Sequence, residues 1–452
     1  MFSLPKETIM TTALLDDLIH KHKAEVTSRL QKLHDAYVSD HEILHQKDKP
    51  DWKPDNRIVI NFPKYIVDTM DGFFIGNPIK VIAEDHAVSE FVEHINQYND
   101  IDDINAEESK FCSIFGKGYE LYYVDENAEL CVAHQSPLGA FMVFDDSIKP
   151  QPLFFVRYWT DYNNDEWGTV YDRNYERPFK ISGGTKYLTE GERLHQFDGV
   201  PAVKMVGNEE EQGLFEPSMS AVNAFNKAFS EKANDVDYFS DAYLKIFGPK
   251  LDDDDVKHIR TNRIMNFDGD DTENLVAEFM EKPSNDTGQE NLLDRLERLI
   301  FQISMVANIS DENFGSASGI ALKYKLQAMN NLAKTKERKF TAALNRRYKI
   351  LFSHPLSKVP ADSWVQLKYK FTPNIPANLL EEAEIAAKMA GITSQETQLK
   401  VLSIVDNVDA ELNKIEEENN AKRENLPDVF NFGNNNDGSG EEDPDEGLND
   451  GQ

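Results

Sequence analysis

The chain has 452 residues and a formal net charge of −32, with 48 Lys and Arg against 80 Asp and Glu. Its length allows two or three hydrophobic cores, whereas its charge repels nucleic acid over most of the surface and argues against a protein that coats DNA. With two cysteines and no apolar run near the length of a membrane span, we expect a protein of a reducing compartment that does not enter a membrane.

The N-terminal half predicts helices followed by a curved antiparallel sheet. Apolar residues at helical spacing predict helices over 7–47, 64–74 and 86–114, with a short strand at Ile79–Ala83. Six β runs separated by turns then follow: Tyr119–Val124, Cys131–His134, Phe141–Phe144, Leu153–Trp159, Trp167–Tyr171 and Ala202–Val206. The predicted fold class is therefore α+β and mainly helical.

The next segment predicts a helical stalk that carries an acidic insert. One helix covers about Met219–Phe247 and a second covers Asn291–Asn308. Two antiparallel helices would hold the insert between them, Pro249–Gly288, at their far end. The aspartates of this insert are Asp252, Asp253, Asp254, Asp255, Asp268, Asp270 and Asp271.

A polar hinge, Ser310–Gly319, precedes the longest predicted helix, Ile320–Phe352. At 1.5 Å per residue this helix would reach about 50 Å. It carries nine Lys and Arg residues against Glu337 alone, inside a strongly acidic chain. An acidic partner must face it, and the sequence leaves open whether this is a polyanion, the same subunit or a neighbouring subunit.

The C-terminal part predicts one strand and a small helical module. Trp364–Phe371 alternates like a strand, and helices follow over 378–390, 394–406 and about 410–424. Thr393 and Glu396 form a capping box for the second of these helices. From Leu426 the chain is rich in Asn and acids and poor in apolar residues, which predicts a disordered tail.

One short pattern suggests an enzyme, the run from His41 to His45 with Glu42 between them. Histidines at i and i+4 on one helix face can share a zinc ion while the glutamate activates its water. The predicted helix ends within a few residues at Pro50, and Asp48 and Asp51 stand where the extended pattern has a glycine and a histidine. A polar helix end is the preferred interpretation.

A second pattern, Phe115–Gly118, is similar to the end of a phosphate-binding loop. It lacks the upstream glycine and the hydroxyl residue after the lysine, so a turn before a strand is the preferred interpretation. We predict no catalytic residue, no cofactor and no metal site, and the protein is predicted not to be an enzyme.

A series of short motifs stands in order along roughly residues 10–425. These motifs are Asp40–Leu44, Asn56–Phe62, Gly72–Pro78, Phe115–Glu120, Ser318–Lys323 and Gly391–Thr397. Their order resembles that of the portal proteins of tailed bacteriophages, of the type found in long-tailed phages of Gram-positive hosts. No motif of that family is found in the acidic tail.

The resemblance implies a portal-type fold of wing, stem, clip and crown with a long channel helix. The expected parts are a wing at 1–212, stem helices at 213–248 and 289–309, a clip at 249–288, a tunnel loop at 310–319, the long helix with a strand returning to the wing at 320–376, a crown at 377–425 and a disordered acidic tail at 426–452.

The resemblance also implies a function. It predicts a ring of about twelve subunits at one capsid vertex, a channel for DNA packaging, retention and ejection. The expected partners are double-stranded DNA bound without sequence preference, the terminase large subunit, a head-completion or connector protein, and the major capsid and scaffolding proteins. The expected location is the virion, and the host cytoplasm during assembly.

Residue roles follow from this layout as expectations. The clip aspartates are expected to dock the motor, because acids suit a basic partner. The residues expected to contact DNA weakly are Ser310, Asp311, Glu312, Asn313, Phe314, Gly315, Ser316, Lys323 and Lys325. Most basic residues from Lys334 to Lys349 are expected to pair with acids of neighbouring subunits.

Two other classes remain open on the sequence alone. One is an acidic helical scaffolding or adaptor protein that assembles through its long helices, and the other is a metalloenzyme built on His41 and His45. A mass measurement distinguishes a portal from an enzyme, because a portal forms a ring of several hundred kilodaltons and an enzyme forms a small oligomer.

Overall fold

The computed structural model divides the chain into two compact units, Met1–Ile375 and Pro376–Gln452. The residues it describes are 2–50, 53–181, 185–187, 191–240, 244–247, 276–279, 286–309, 324–375, 379–402, 404–405 and 408–424. Helices and strands are mixed, and the protein has an α+β fold. None of the described helices is both long enough and apolar enough to span a membrane.

Most described helices belong to the first unit. They are α1 (Thr12–Glu25), α2 (Gln31–Tyr37), α3 (Phe62–Ile75), α4 (His86–Tyr98), α5 (Ile101–Phe115), α6 (Met219–Ser240), α7 (Asp286–Ser304) and α8 (Gln327–Ser353). A π-helical segment, Val26–Leu30, joins α1 to α2. The described helices of the second unit are α9 (Leu379–Met389), α10 (Gln395–Leu399) and α11 (Val408–Glu424).

The described strands all lie in the first unit. They are β1 (Phe2–Leu4), β2 (Lys80–Ile82), β3 (Lys117–Val124), β4 (Leu130–Gln135), β5 (Ala140–Asp145), β6 (Pro152–Thr160), β7 (Glu166–Tyr171), β8 (Tyr175–Ile181), β9 (Thr185–Tyr187), β10 (Arg193–Leu194), β11 (Ala202–Val206), β12 (Leu244–Phe247), β13 (Val276–Phe279) and β14 (Lys368–Lys370).

These strands form one large sheet and three small ones. The large sheet has the order β1-β5-β6-β7-β8-β10, with β9 on β8, and every pairing in it is antiparallel except β1 with β5. One face of this sheet packs against α1, where Leu15 meets Phe141 and Val156 in a separate core. The small sheets are β11-β3-β4, β12-β13 and β14-β2.

The main core lies where α3, α4, α5 and α8 pack together. Residues of α8 at helical spacing, such as Phe340, Leu344 and Leu351, are fully buried there, as the apolar stripe of the sequence predicts. The strand β14 returns from the end of α8 and pairs with β2. The long helix is therefore an interior element of the first unit.

Several predicted helices have different limits in the structure. The helix predicted over 86–114 is two helices, because Asp100 takes a left-handed conformation with φ 49° between α4 and α5. The helix predicted over 7–47 ends at Tyr37, and Ser39 has φ 72° shortly after it. Neither break contains the Gly or Pro that the sequence rules rely on.

The stalk and the C-terminal helices also differ from the prediction. The helix expected to reach Phe247 ends at Ser240, and 244–247 is the strand β12. The helix expected over 394–406 has one short turn, Gln395–Leu399, and its N-cap is Ser394, which accepts from Thr397 N. The predicted cap, Thr393, stands one position before the observed one, because both residues carry a hydroxyl that can accept the capping hydrogen bond. The tail from 426 lies outside the described residues.

Candidate functional site

The predicted clip and tunnel loop fall mostly outside the described residues. This holds for the aspartates Asp252, Asp253, Asp254, Asp255, Asp268, Asp270 and Asp271 and for Ser310, Asp311, Glu312, Asn313, Phe314, Gly315, Ser316 and Lys323. Lys325 is described, and its side chain is exposed just before α8. The elements that hold these segments at either end are described and form the candidate site.

The two stem helices α6 and α7 pack against one another and lead into a two-stranded ribbon. Lys232 of α6 forms an ion pair with Glu290 of α7, and Gln289 donates to Asp235 at 3.2 Å. Beyond α6 the chain enters β12, which pairs antiparallel with β13. The insert between the stem helices therefore begins and ends on adjacent strands.

A short extended segment, which we call the arm (Asn56–Asn61), lies along α6. Its backbone amides are bound by polar side chains of the helix: Ile60 N donates to Asn226 Oδ1 at 2.9 Å, Ile58 N to Ser230 Oγ at 2.9 Å and Asn56 N to Asn234 Oδ1 at 2.6 Å. All three helix side chains are buried. Because α3 follows the arm directly, this ladder ties the stem to the body of the unit.

The long helix α8 is fixed to α3 and α5 by a buried lysine. Lys336 Nζ donates to Asp71 Oδ1 at 2.8 Å, to Ser109 O at 3.1 Å and to Ser113 Oγ at 2.8 Å. The two serine hydroxyls also donate to the same Asp71 oxygen. All three protons of the ammonium group are used, which is the condition under which a buried charge is tolerated.

Three turns further along α8, Arg347 is fixed in the same way to strand β3. Its guanidinium forms a two-point ion pair with Glu120, with Nε 2.9 Å from Oε2, and donates to Asn105 Oδ1 at 2.6 Å. Tyr122 Oη donates to the same Glu120 carboxylate at 2.7 Å. Burial alone would lower the pKa of Arg347, but the charge of Glu120 reverses this and raises it, so the guanidinium stays charged.

A second carboxyl group, Glu108, lies beside this ion pair. The side chain is fully buried, and neither of its oxygens has a hydrogen-bond partner among the described residues. Desolvation, and then the negative charge of Glu120, raises the pKa of Glu108 well above its ordinary value. Burial beside the negative charge of Glu120 therefore favours the protonated form of Glu108.

These contacts correct the predicted pairing of the long helix. Lys336 and Arg347 pair with Asp71 and Glu120 of the same chain, Lys339 pairs with Glu209, and Lys334 pairs with Glu337 one turn away. The expectation that these residues pair with neighbouring subunits is therefore wrong for all four. Their partners are 130 to 265 positions away in three of the pairs, beyond the reach of any local pattern.

The fold places the two histidines of the zinc-like pattern, His41 and His45, in different surroundings. His41 is buried, with Nδ1 3.1 Å from Asn226 Nδ2, whereas His45 is exposed and lies 2.6 Å from Asp40 Oδ1. The residues from Glu42 to His45 form a short 3-10 helix rather than one face of an α-helix. Among the described residues, no three His, Cys, Asp or Glu side chains are grouped as metal ligands.

The loop-like run at Phe115–Gly118 is a helix-to-strand turn, as expected. Gly116 has φ +83° and closes α5, and a Cβ atom there would meet Glu211 O at 2.0 Å. Lys117 pairs with Glu25 at 2.6 Å and is buried. Its ammonium group is committed to this structural contact.

Sequence reasoning missed the residues that anchor α8 in the body. A usable signal was present on α5, where Asn105, Glu108, Ser109 and Ser113 stand among the apolar residues of the buried helix face. Polar side chains on a buried face require buried partners. The pattern could have indicated that α5 receives charged side chains, although not which ones.

Most of the chain matches one family of known proteins. Residues 15–425 match the family described as phage portal protein, SPP1 Gp6-like. The portal protein of Bacillus phage SPP1 is 23% identical over 429 residues, which cover 88% of this chain and 83% of that protein. The portal protein of Clostridium phage phiCD119 is 23% identical over 292 residues, which cover 63% of this chain but only 61% of that relative.

The neck of a native GTA particle, computed with C12 symmetry, aligns with a TM-score of 0.49 at 12% identity and covers 82% of this chain and 92% of that one. The neck of an empty GTA particle, computed with C6 symmetry, aligns with a TM-score of 0.43 at 14% identity, over 75% and 89% of the two chains.

Proposed function

Because this chain belongs to the SPP1 Gp6-like family of phage portal proteins, we propose that about twelve copies form a closed ring at one vertex of a bacteriophage capsid. The ring is the channel through which double-stranded DNA is packaged, retained and ejected. It assembles in the host cytoplasm with the major capsid and scaffolding proteins and remains in the virion.

Apolar side chains on the surface of the stem support assembly into a ring. Leu292 and Ile303 on α7 are 50% and 43% exposed, and Ile309 just beyond α7 is 49% exposed. Exposed apolar side chains of this kind remain in water in a single chain and become covered when copies associate. A ring of identical stems covers them on every copy.

The charge distribution of α8 is the observation that best supports a channel through which DNA slides. Its cations Lys336, Lys339 and Arg347 are neutralised by carboxylates of their own chain. A duplex held by many free lysines and arginines would bind tightly, because each neutralised phosphate releases counterions. Weak contacts made by the tunnel loop, with Lys323 and Lys325, suit passage of DNA in both directions.

The clip between the stem helices is the proposed docking site of the terminase large subunit and later of the head-completion protein. Its support is the β12-β13 ribbon, whose antiparallel pairing brings two parts of the chain that flank the acidic insert side by side. Clusters of aspartate favour fast, salt-sensitive association with a basic partner. Replacing Asp252, Asp253, Asp254 and Asp255 by serine should leave the ring intact and weaken terminase binding at low salt.

Sedimentation velocity and electron-microscopy class averages of the purified protein test the ring. The expected result is a single species of several hundred kilodaltons with a central hole. A protein that stays monomeric or dimeric at micromolar concentration contradicts the proposal. For the channel, rings carrying Lys323→Gln and Lys325→Gln should assemble but package or retain less DNA. Normal packaging by these rings would show that the two lysines do not contribute to DNA contact.

A further inference from the structure

One cavity of the first unit holds two cations of α8 that form no ion pair with any acidic residue that the structure describes. The cavity has a volume of about 1210 Å³ and lies between α8, the segment 6–10 and the ends of β5, β6 and β8. Arg346 and Lys349 line it from the same side of α8. This volume exceeds the roughly 300–1,000 Å³ of ordinary small-molecule pockets and suits a segment of polypeptide.

Arg346 is the unusual member of this pair. Its Nε is buried without a hydrogen-bond partner, and no hydrogen bond or ion pair joins its guanidinium to another described residue. Burial lowers the pKa of Arg346, opposed only by Tyr122. A buried Nε without a partner costs free energy, whereas the adjacent Arg347 is fully buried and paired with Glu120. Among the described residues, no carboxylate pairs with Arg346 at this site.

Most of the other charged groups of the cavity have partners, whereas Lys6 and Glu7 on the segment 6–10 have no hydrogen bond or ion pair to another described residue. Arg177 pairs with Asp172, and Arg173 lies 3.4 Å from Asp198. Asp145 accepts from Ser147 Oγ at 2.6 Å and from Gln151 N at 2.8 Å. The carboxylates fixed around the cavity would repel a phosphate backbone, but a single carboxylate placed at Arg346 and Lys349 avoids them.

We propose that this cavity receives a carboxylate-bearing segment from a second copy of the chain, with the carboxylate on Arg346 and Lys349. The occupant follows from charge, because every other copy also carries a net charge of −32 and so offers carboxylates in excess. Ile9 at the rim is 81% exposed and would be covered by the same segment. The inference rests on the proposed ring and specifies one contact within it.

The first test compares assembly of Arg346→Met with that of a matched control. Arg338→Met removes the same group from an exposed position of the same helix. The concentration at which rings dissociate should rise about 10-fold or more for Arg346→Met, since truncating one partner of a desolvated pair weakens association strongly, and less than about 3-fold for Arg338→Met. Measured on dissociated protein, the melting temperature of Arg346→Met should be equal to or above that of the wild type, which excludes a folding defect.

The second test identifies the partner group. A carbodiimide joins a carboxylate directly to a lysine amine, so rings made from a mixture of ¹⁵N-labelled and unlabelled protein should yield peptides in which Lys349 of one copy is linked to Asp or Glu of another. Links confined to a single copy, or unchanged assembly of Arg346→Met, overturn the proposal while the ring itself stands. A wild type that forms no ring overturns both.

A phosphate ligand is the competing outcome. Inorganic phosphate or a short DNA duplex that raises the melting temperature of the wild type, but not that of Arg346→Met, would assign the cavity to phosphate and overturn the proposal. We expect no difference between the two proteins in either experiment.

Discussion

Lys336 of α8 and Asp71 of α3 form an ion pair inside the protein, with Nζ 2.8 Å from Oδ1 and side chains that are 3% and 13% exposed. Arg347, eleven residues further along α8, pairs with Glu120 on the same side of the helix. Two anchors about three turns apart fix both the position and the rotation of a long helix. The two ion pairs therefore give α8 a defined position in the first unit.

Replacing Arg347 by Met should destabilise the protein strongly. The change leaves the Glu120 charge buried and unpaired beside Glu108, which costs about 3–5 kcal/mol in the free energy of unfolding. Lys334→Met, which breaks an exposed pair with Glu337, is the control and should cost less than about 1 kcal/mol. Urea unfolding monitored by fluorescence measures both. Equal stabilities of the two variants would show that the buried pair does not anchor α8.

Glu108→Gln should change how stability depends on pH. The folded pKa of Glu108 is raised above the ordinary 4.5, so the native state holds a proton that the unfolded chain releases. The free energy of unfolding of the wild type therefore falls as pH rises above about 4.5, by up to about 1.4 kcal/mol per pH unit until the folded pKa is reached.

The variant lacks this group, so its stability relative to the wild type should be higher at pH 8 than at pH 5. Glu107→Gln removes a carboxylate next to Glu108 on the same helix and is the matched control for the substitution itself. Melting temperatures across this pH range provide the measurement. Parallel curves for Glu108→Gln and the wild type would mean that Glu108 is ionised in the folded state.

Ser230→Ala should loosen the arm on the stem. It leaves the amide of Ile58 without its acceptor, at a cost of about 1–3 kcal/mol. Hydrogen exchange at Ile58 should accelerate, while Asn223→Ala, which removes an exposed contact with Glu42 from the same helix, should leave it unchanged. Unaltered protection at Ile58 in Ser230→Ala would place the constraint on the arm elsewhere.

Gly116→Ala should impair folding far more than Gly199→Ala. Both glycines have positive φ, at +83° and +99°, so both substitutions carry backbone strain of about 1 kcal/mol. At Gly116 the new Cβ also meets Glu211 O at 2.0 Å, whereas at Gly199 nothing lies within 4 Å. The yield of folded protein and its melting temperature distinguish the two, and similar values would indicate that the turn after α5 shifts readily.

The parts of the fold that were predicted well have dense local signals. The strands β3 to β7 were placed within a few residues, because aromatic and β-branched residues alternate with clear turns there. β8 was missed because it carries Arg177, Pro178 and Lys180 and has few apolar residues. The break at Asp100 was missed because an aspartate rarely adopts the left-handed conformation.

The anchors of α8 show where sequence reasoning stops. The excess of positive charge on the helix was visible in the sequence and correctly required an acidic partner. The choice between partners was wrong for Lys336 and Arg347, because the pairing is set by the packing of α3, α5 and β3 against α8. The roles assigned to residues of the clip and tunnel loop remain predictions.

The ladder between the arm and α6 also constrains how this protein can change in length. The acceptor side chains of the ladder recur every four residues along α6, a spacing of about 6.0 Å. The donor amides recur every two residues along the arm, a similar spacing of about 6.6–6.8 Å. Loss or gain of one arm residue turns the donors away from the helix, whereas loss or gain of two restores them one step along. Natural insertions and deletions in this segment are therefore expected to accumulate in pairs.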